Sequence, residues 1–427
     1  MAQGKTKAKR VLSGMRPTGR LHLGHFFGAL SNWLNLQNAR LSDGEEQYEC
    51  FFFVADWHAL TTHYEDTSSI AENTLQVATD WLAVGLDPAK STLFVQSSIL
   101  EHAELHVLLS MITPLSWLER VPTYKEQIEN LKDRDLGTYG FLGYPLLQSA
   151  DIVIYDADFV PVGEDQVPHV EITREVVRRF DSHFGFRIKD ELFAAKNSRV
   201  FSDLWNEFFD IHANTVVTPG EGLKPGMRPY VEKMLRGAAA QMGFVNFLER
   251  AERVSPGKIL KYFQMTQVLR EPGHLLTETP RLPGTDGRRM AKSYGNAIWL
   301  SDAPDEVRTK VRNMMTDPQR QRRTDPGRPE VCPVFAYHKL FSQADTIAQV
   351  DRDCRTAAIG CVDCKKLMAE NLVKWIEPVQ ARRKKFEAHP QVVWDILDAG
   401  SGKARKAAKK TMGRVREAIF RWDEARK

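Results

Sequence analysis

His22 and His25 stand three residues apart at the mouth of an amphipathic stretch, within residues 11–30, VLSGMRPTGRLHLGHFFGAL. The run opens apolar at Val11 and Leu12, breaks at Ser13 and Gly14, and turns through Arg16, Pro17, Thr18 and Gly19. It restarts with Leu23, Phe26, Phe27 and Leu30 at helical spacing, which predicts a strand, a tight turn and a helix. A helix start carries N–H groups without intrahelical partners, so it can receive an anion. Two imidazoles one turn apart can both face one phosphate chain. An ordinary strand-to-helix turn with two surface histidines fits the same residues, because such turns are frequent.

Two further groups could do chemistry. Arg289-Met290-Ala291-Lys292-Ser293 follows LPGTDGR and, taken alone, reads as a basic surface loop. Four of the five cysteines crowd the C-terminal side: Cys332, 21 residues, Cys354, six residues, Cys361, two residues, Cys364. A cluster of thiols in a reducing compartment suggests metal binding rather than disulfides. Four thiolates can hold zinc or a 4Fe-4S cluster. The fifth, Cys50, sits in the run YECFFFVA and reads as a core thiol.

The elements that must position these groups alternate. Apolar runs at 48–55, 91–96 and 159–162 read as buried parallel strands. Helical periodicity covers 68–82, 102–112, 116–131, 145–153 and 166–180. Such alternation predicts an α/β fold, a doubly wound Rossmann-like parallel sheet, with ligands at the carboxyl ends of its strands. His22, Asp56 and Gly163 each follow a strand in this way. From residue 301 the chain reads as helical, giving an all-α C-terminal domain whose last stretch is basic. Residues 1–10, MAQGKTKAKR, read as a disordered basic tail without the apolar segment of a secretory signal. The mild net charge of +4 permits nucleic-acid binding without demanding it. No apolar run approaches the ~20 residues of a membrane span, so no membrane partner and a cytoplasmic location are expected.

The three groups and their setting resemble a known family. His22-Leu23-Gly24-His25 resembles the His-Ile-Gly-His signature of class I aminoacyl-tRNA synthetases, and Arg289–Ser293 resembles their Lys-Met-Ser-Lys-Ser loop. The blocks SGMRPTGRLHLGH, ADWHALTTHY, GYPLLQSADI, VPVGEDQVPHVEITREV and LPGTDGRRMAKSYGN look like successive blocks of the tryptophanyl-tRNA synthetases. The resemblance covers about 10–193 and 281–426. It leaves 196–278 as an insertion, helical by pattern in its second part. The expected division is a tail at 1–10, a catalytic domain at 11–195, the insertion at 196–278, the end of the catalytic domain with its loop at 279–300, and a helical tRNA-binding domain at 301–427.

The resemblance implies a two-step reaction. The tryptophan carboxylate attacks the α-phosphate of ATP, and the aminoacyl group then passes to the terminal ribose of tRNA(Trp). That nucleophile is already an anion, so positioning and cations on the leaving pyrophosphate should carry catalysis. By resemblance, Arg16, Pro17, Thr18, His22, Gly24 and His25 line the ATP site, Gly163, Glu164 and Asp165 meet the ribose, and the loop Arg289, Met290, Ala291, Lys292 and Ser293 brings cations to the β- and γ-phosphates. Magnesium arrives with ATP. Asp151 accepts the indole N–H, Tyr144 and Gln166 hold the amino group, and Gln148 and His58 complete the pocket. Cys332, Cys354, Cys361 and Cys364 are similar to the pattern of a subset with a 4Fe-4S cluster, with the first gap one residue shorter, zinc being the alternative. A homodimer is expected from the family.

Four positions depart from the family pattern: Arg16 for Gln, Gln148 for Met, Arg289 for Lys and Ala291 for Ser. Three other readings stay open: a tyrosyl-tRNA synthetase, a nucleotidyltransferase unrelated to tRNA, and a non-enzymatic, metal-bearing RNA-binding protein derived from a synthetase.

Overall fold

A computed structural model describes residues 8–121, 137–276, 282–422 and 426, with the side chain of Asp165 not among them. Residues 1–7 of the expected tail, positions 122–131 of the helix expected at 116–131, and the expected boundary at 278–279 lie outside the described residues.

Along the chain the sheet strands are β1 (Lys9–Met15), β2 (Tyr48–Val54), β3 (Ser91–Val95), β4 (Phe159–Val162) and β5 (Gly273–Leu276), in the order β3-β2-β1-β4-β5. β1 opens at Lys9, inside the stretch read as tail. It pairs in parallel with β2, and β2 with β3. The order reverses between β1 and β4, and this switch point is where an open α/β sheet presents its ligand crevice. The helices include α1 (Ser31–Asn38), α2 (Asp56–His63), α3 (Ile70–Val84), α4 (Glu101–Ser110), α5 (Tyr144–Val153), α6 (Val167–Phe180), α7 (Ser198–Phe208), α8 (Arg228–Met242), α9 (Phe244–Val254), α10 (Pro304–Arg312), α11 (Pro333–Phe341), α12 (Ala344–Arg355), α13 (Cys361–Ala388) and α14 (Pro390–Phe420). The fold is therefore a doubly wound α/β sheet followed by an all-helical C-terminal region.

The chain forms two compact units: residues 1–99, 161–164 and 275–404, and residues 100–160, 165–274 and 405–427. In the first unit, Trp33 stacks on Phe52 with ring centroids 4.4 Å apart, and Trp81 meets Trp33 edge-on. Most of the C-terminal helical region belongs here. α13 packs along α3 and buries Leu372, Ile376 and Val379. Arg383 of α13 pairs with Asp80 of α3, both nearly inaccessible to solvent. Gly400 lies within α14, where a Cβ would collide with the Leu93 carbonyl of β3.

The second unit carries the insertion around its own core of Phe186, Phe201, Trp205, Leu235, Phe247 and Phe263. Gly243, at φ +83°, separates α8 from α9. The stretch KILKYFQM, read as helical, instead makes a short turn and then a strand, Phe263–Met265, antiparallel to Phe186–Ile188. Phe263 stacks on Phe186 there, so burial against a partner strand overrides weak helical periodicity.

Candidate active site

β1 delivers the chain into the Arg16–Gly19 turn, where Thr18 N–H donates to the Arg16 carbonyl at 2.9 Å. Gly19 sits at φ +100°, with the Lys292 ammonium and Asn73 packed where a side chain would begin. Helical geometry starts at Leu23–His25, passes through a π-helical turn at Phe26–Leu30, and continues into α1. Phe26 and Phe27 pack on Trp375, and Phe27 also meets Phe341.

The two distant motifs are joined by a short ladder. Leu23 N–H donates to the Ile298 carbonyl, and Leu300 N–H to the Leu21 carbonyl, both at 2.9 Å. Asp80 caps the approach by accepting from Leu21 N–H at 2.8 Å. Leu23 N–H is thus spent on Ile298. Gly24 N–H meets only the Met290 sulfur at 3.4 Å among the described contacts.

His22 and His25 lie with ring centroids 3.8 Å apart. His25 Nδ1 accepts from His22 N–H at 3.2 Å, which leaves the ring proton on Nε2. Burial, with the charges of His25 and Arg289, lowers the His22 pKa to about 3. Burial and Arg289 lower that of His25 to about 4. Both rings are neutral near pH 7 and act there as hydrogen-bonding groups rather than cations. His22 Nδ1 is buried and has no partner among the described residues.

Positive charge comes from the second motif. Lys292 Nζ donates to the Thr18 carbonyl at 3.1 Å, and Arg289 is exposed close to both histidines. The loop is held from below by Asn296, only 2% exposed. Its amide donates to the Arg289 carbonyl at 3.0 Å and to Asp286 at 2.7 Å, and its oxygen accepts from Ala291 N–H at 2.9 Å. Sequence reasoning passed over Asn296, although the Gly295-Asn296 pair, with Gly295 at φ +64°, is a turn signal. Gly163 and exposed Glu164 follow β4 in this same unit. The first unit thus brings together Arg16, Pro17, Thr18, His22, Gly24, His25 and Arg289–Ser293.

The amino-acid residues divide. His58 is buried on α2 in the first unit. Tyr144, Gln148, Asp151 and Gln166 belong to the second. There Tyr144 packs against His169, and Asp151, 1% exposed, pairs with His102.

The thiols of Cys332, Cys354 and Cys364 are each pushed up, first by burial and then by the charge of neighbouring cysteines. Cys332 caps α11, and Cys361 and Cys364 sit in the first turn of α13, where the helix dipole favours thiolates. Backbone N–H groups of Phe335, Val334 and Asp317 favour the Cys332 thiolate. Arg320 approaches Cys354 Sγ at 3.7 Å, and His338 Nε2 approaches Cys364 Sγ at 3.5 Å. Gly327 leaves room beside Cys354, whose sulfur a Cβ would meet at 2.5 Å. Burial first, then the other cysteines, pushes Cys364 up to about 12. Arg320 opposes part of that rise at Cys354 and Cys364. Among the described residues, no three His, Cys, Asp or Glu side chains group closely enough to share one metal ion. Cys50 is buried in β2, as expected of a core thiol.

Comparison with known proteins decides the family. A family profile described as "tRNA synthetases class I (W and Y)" matches residues 4–199 and 253–377. The tryptophan–tRNA ligase of Ralstonia nicotianae is 47% identical, over 96% of this chain and 98% of the relative. The chain belongs to the tryptophanyl-tRNA synthetases. Tryptophan–tRNA ligase of Thermotoga maritima is 43% identical over 96% of this chain and 98% of its own length. A solved tryptophanyl-tRNA synthetase from Campylobacter jejuni, complexed with ADP and tryptophan, has a TM-score of 0.70 at 25% identity, over 96% of this chain and 99% of the other. A tyrosyl-tRNA synthetase from Archaeoglobus fulgidus reaches 0.52 at 17% identity, which shares the fold alone. As a tryptophanyl-tRNA synthetase by family, the chain is an enzyme. The profile passes over residues 200–252, which lie in the insertion core. No helix among the described residues is long and apolar enough to cross a membrane.

Proposed function

We propose that the chain activates L-tryptophan with Mg-ATP and transfers it to tRNA(Trp), with the nucleotide held between the Arg16–His25 turn and the Arg289–Ser293 loop. The observation that carries this reading is the joining of those two stretches, through the Leu21–Leu23 ladder and the Lys292–Thr18 contact. Gly24 N–H and His25 Nε2–H supply neutral donors for phosphate oxygens, with the His22 ring beside them. Arg289 and Lys292 oppose the charge that grows on the leaving pyrophosphate. Gly163, Glu164 and Asp165 take the ribose, where a carboxylate accepts from hydroxyls. Magnesium enters on the triphosphate rather than in a protein cage.

Asp151 accepts the indole N–H, with Tyr144 and Gln166 on the amino group and Gln148 against the indole; by family resemblance, His58 is a further tryptophan-binding residue. A buried acceptor of this kind rejects phenylalanine, which would leave it unpaired. Charging of tRNA(Trp) with labelled tryptophan tests the whole reaction. Adenylate formation without transfer would reduce the proposal to its first step.

Cys332, Cys354, Cys361 and Cys364 are read as ligands of a 4Fe-4S cluster. The backbone N–H groups at Cys332, the Arg320 guanidinium beside Cys354, the helix start at Cys361 and Cys364 and the absent side chain at Gly327 suit thiolates facing a shared group. A single zinc ion draws four sulfurs to ~2.3 Å of one point, whereas a cluster gives each thiolate its own iron. The group would supply local order to the start of α13. The protein is further read as a cytoplasmic homodimer, with 301–427 as its tRNA-binding region.

A further inference from the structure

We propose that His102 and Tyr155 are positioning residues for amino-acid selection, acting as a relay that fixes the orientation of the Asp151 carboxylate. This rests on the reading of Asp151 as the acceptor of the indole N–H. His102 lies at the start of α4 and Asp151 near the end of α5, two helices that pack side by side in the second unit. His102 Nδ1 meets Asp151 Oδ1 at 2.5 Å, and His102 Nε2 meets the Tyr155 hydroxyl at 2.6 Å. Solvent reaches no more than 1% of any of the three side chains.

The donors in this chain run one way. An ionised carboxylate only accepts, so His102 Nδ1 carries the hydrogen. In the neutral ring, Nε2 then accepts, and Tyr155 O–H donates to it. The phenol stays protonated, because burial and the charges of Asp151 and Glu101 raise its pKa well above the usual value. Tyr155 therefore fixes the tautomer of His102, and His102 fixes the plane of the Asp151 carboxylate through Oδ1. That plane decides where Oδ2 can accept an N–H. A donor-only indole meets a directed acceptor, and a phenyl ring offers it nothing.

A simple staple between α4 and α5 would use the same contacts, so the test must separate selection from stability. Tryptophan-dependent ATP–pyrophosphate exchange is measured on the full chain carrying Tyr155→Phe, His102→Asn, His102→Leu or Asp151→Ala, with KM for tryptophan, KM for ATP and the tryptophan-to-phenylalanine preference. Tyr155→Phe removes one neutral hydrogen bond, and its KM for tryptophan should rise by roughly three- to tenfold, with kcat and KM for ATP unchanged. His102→Asn retains a donor toward Asp151 and should stay within about threefold of the parent, whereas His102→Leu strands a buried carboxylate and should lose ~30-fold or more. Selectivity should fall in step. If His102→Leu does not fold, Tyr155→Phe still decides. A lowered melting temperature with unchanged KM and preference in Tyr155→Phe marks a staple and overturns the relay. Full selectivity in Asp151→Ala would instead overturn the reading of Asp151 on which the relay depends.

Discussion

Lys292 Nζ and the Thr18 carbonyl lie 3.1 Å apart, joining residues 274 positions apart in the chain. The contact holds a loop cation over the turn that follows β1. Because Lys292 is exposed, a phosphate can replace the carbonyl as its partner without a large rearrangement. Lys292→Ala should slow single-turnover adenylate formation by ~10²–10³, as for loss of one transition-state donor. Tryptophan affinity, read by equilibrium binding, should change little. An unchanged single-turnover rate would remove Lys292 from the chemistry.

Asn296 is the support beneath that loop. Removing its amide leaves the Arg289 carbonyl, Asp286 and Ala291 N–H each short of a partner. Asn296→Ala should therefore lower exchange activity at least tenfold while Arg289 and Lys292 remain in the chain. A variant with parental kcat/KM would show that the loop holds its shape without Asn296.

Asp181 gives the second unit a pH dependence. It is buried, and desolvation pushes its pKa up to about 7 although Val268 and Leu269 N–H groups donate to it. A folded-state pKa raised above the unfolded value of 3.8 means that the folded chain binds the extra proton. The associated stability is present below about pH 4 and declines as pH rises through 7. An amide keeps the acceptor and removes the charge. Asp181→Asn should thus be more stable than the parent at pH 8, by an amount on the order of 4 kcal/mol at most, and the gap should close toward pH 4. A gap independent of pH would contradict the assignment.

The cysteine set makes a separate prediction. Anaerobically purified protein should contain iron and absorb in the blue, and Cys361→Ser should lose both. Exchange activity should survive in large part, because Leu372, Ile376, Val379 and the Arg383–Asp80 pair hold α13 to α3 without the cysteines. Gly327→Ala, which crowds Cys354 Sγ, should also lose iron with every thiol retained. Stoichiometric zinc without iron would refute the cluster.

Local chemistry made much of this readable in the sequence. The strand at 48–54, the turn at 16–19 and the loop at 289–293 are written in short runs, as apolar blocks, Pro-Gly punctuation and clustered cations. What escaped was long-range. Nothing near Leu21 announces that its amide goes to Asp80, nor near Leu23 that Ile298 consumes its N–H. His102 reads as one more polar residue in an amphipathic helix until packing sets it against Asp151. The strand at Phe263–Met265 was missed for the same reason, since its partner at Phe186–Ile188 lies far away in sequence.

The central claim is tested most directly by ATP–pyrophosphate exchange with each amino acid in turn. The account expects exchange dependent on tryptophan, with tyrosine and phenylalanine weaker by ~10⁴ or more in kcat/KM if a buried acceptor does the selecting. Exchange driven equally by tyrosine, or no exchange with any amino acid alongside intact tRNA binding, would contradict it.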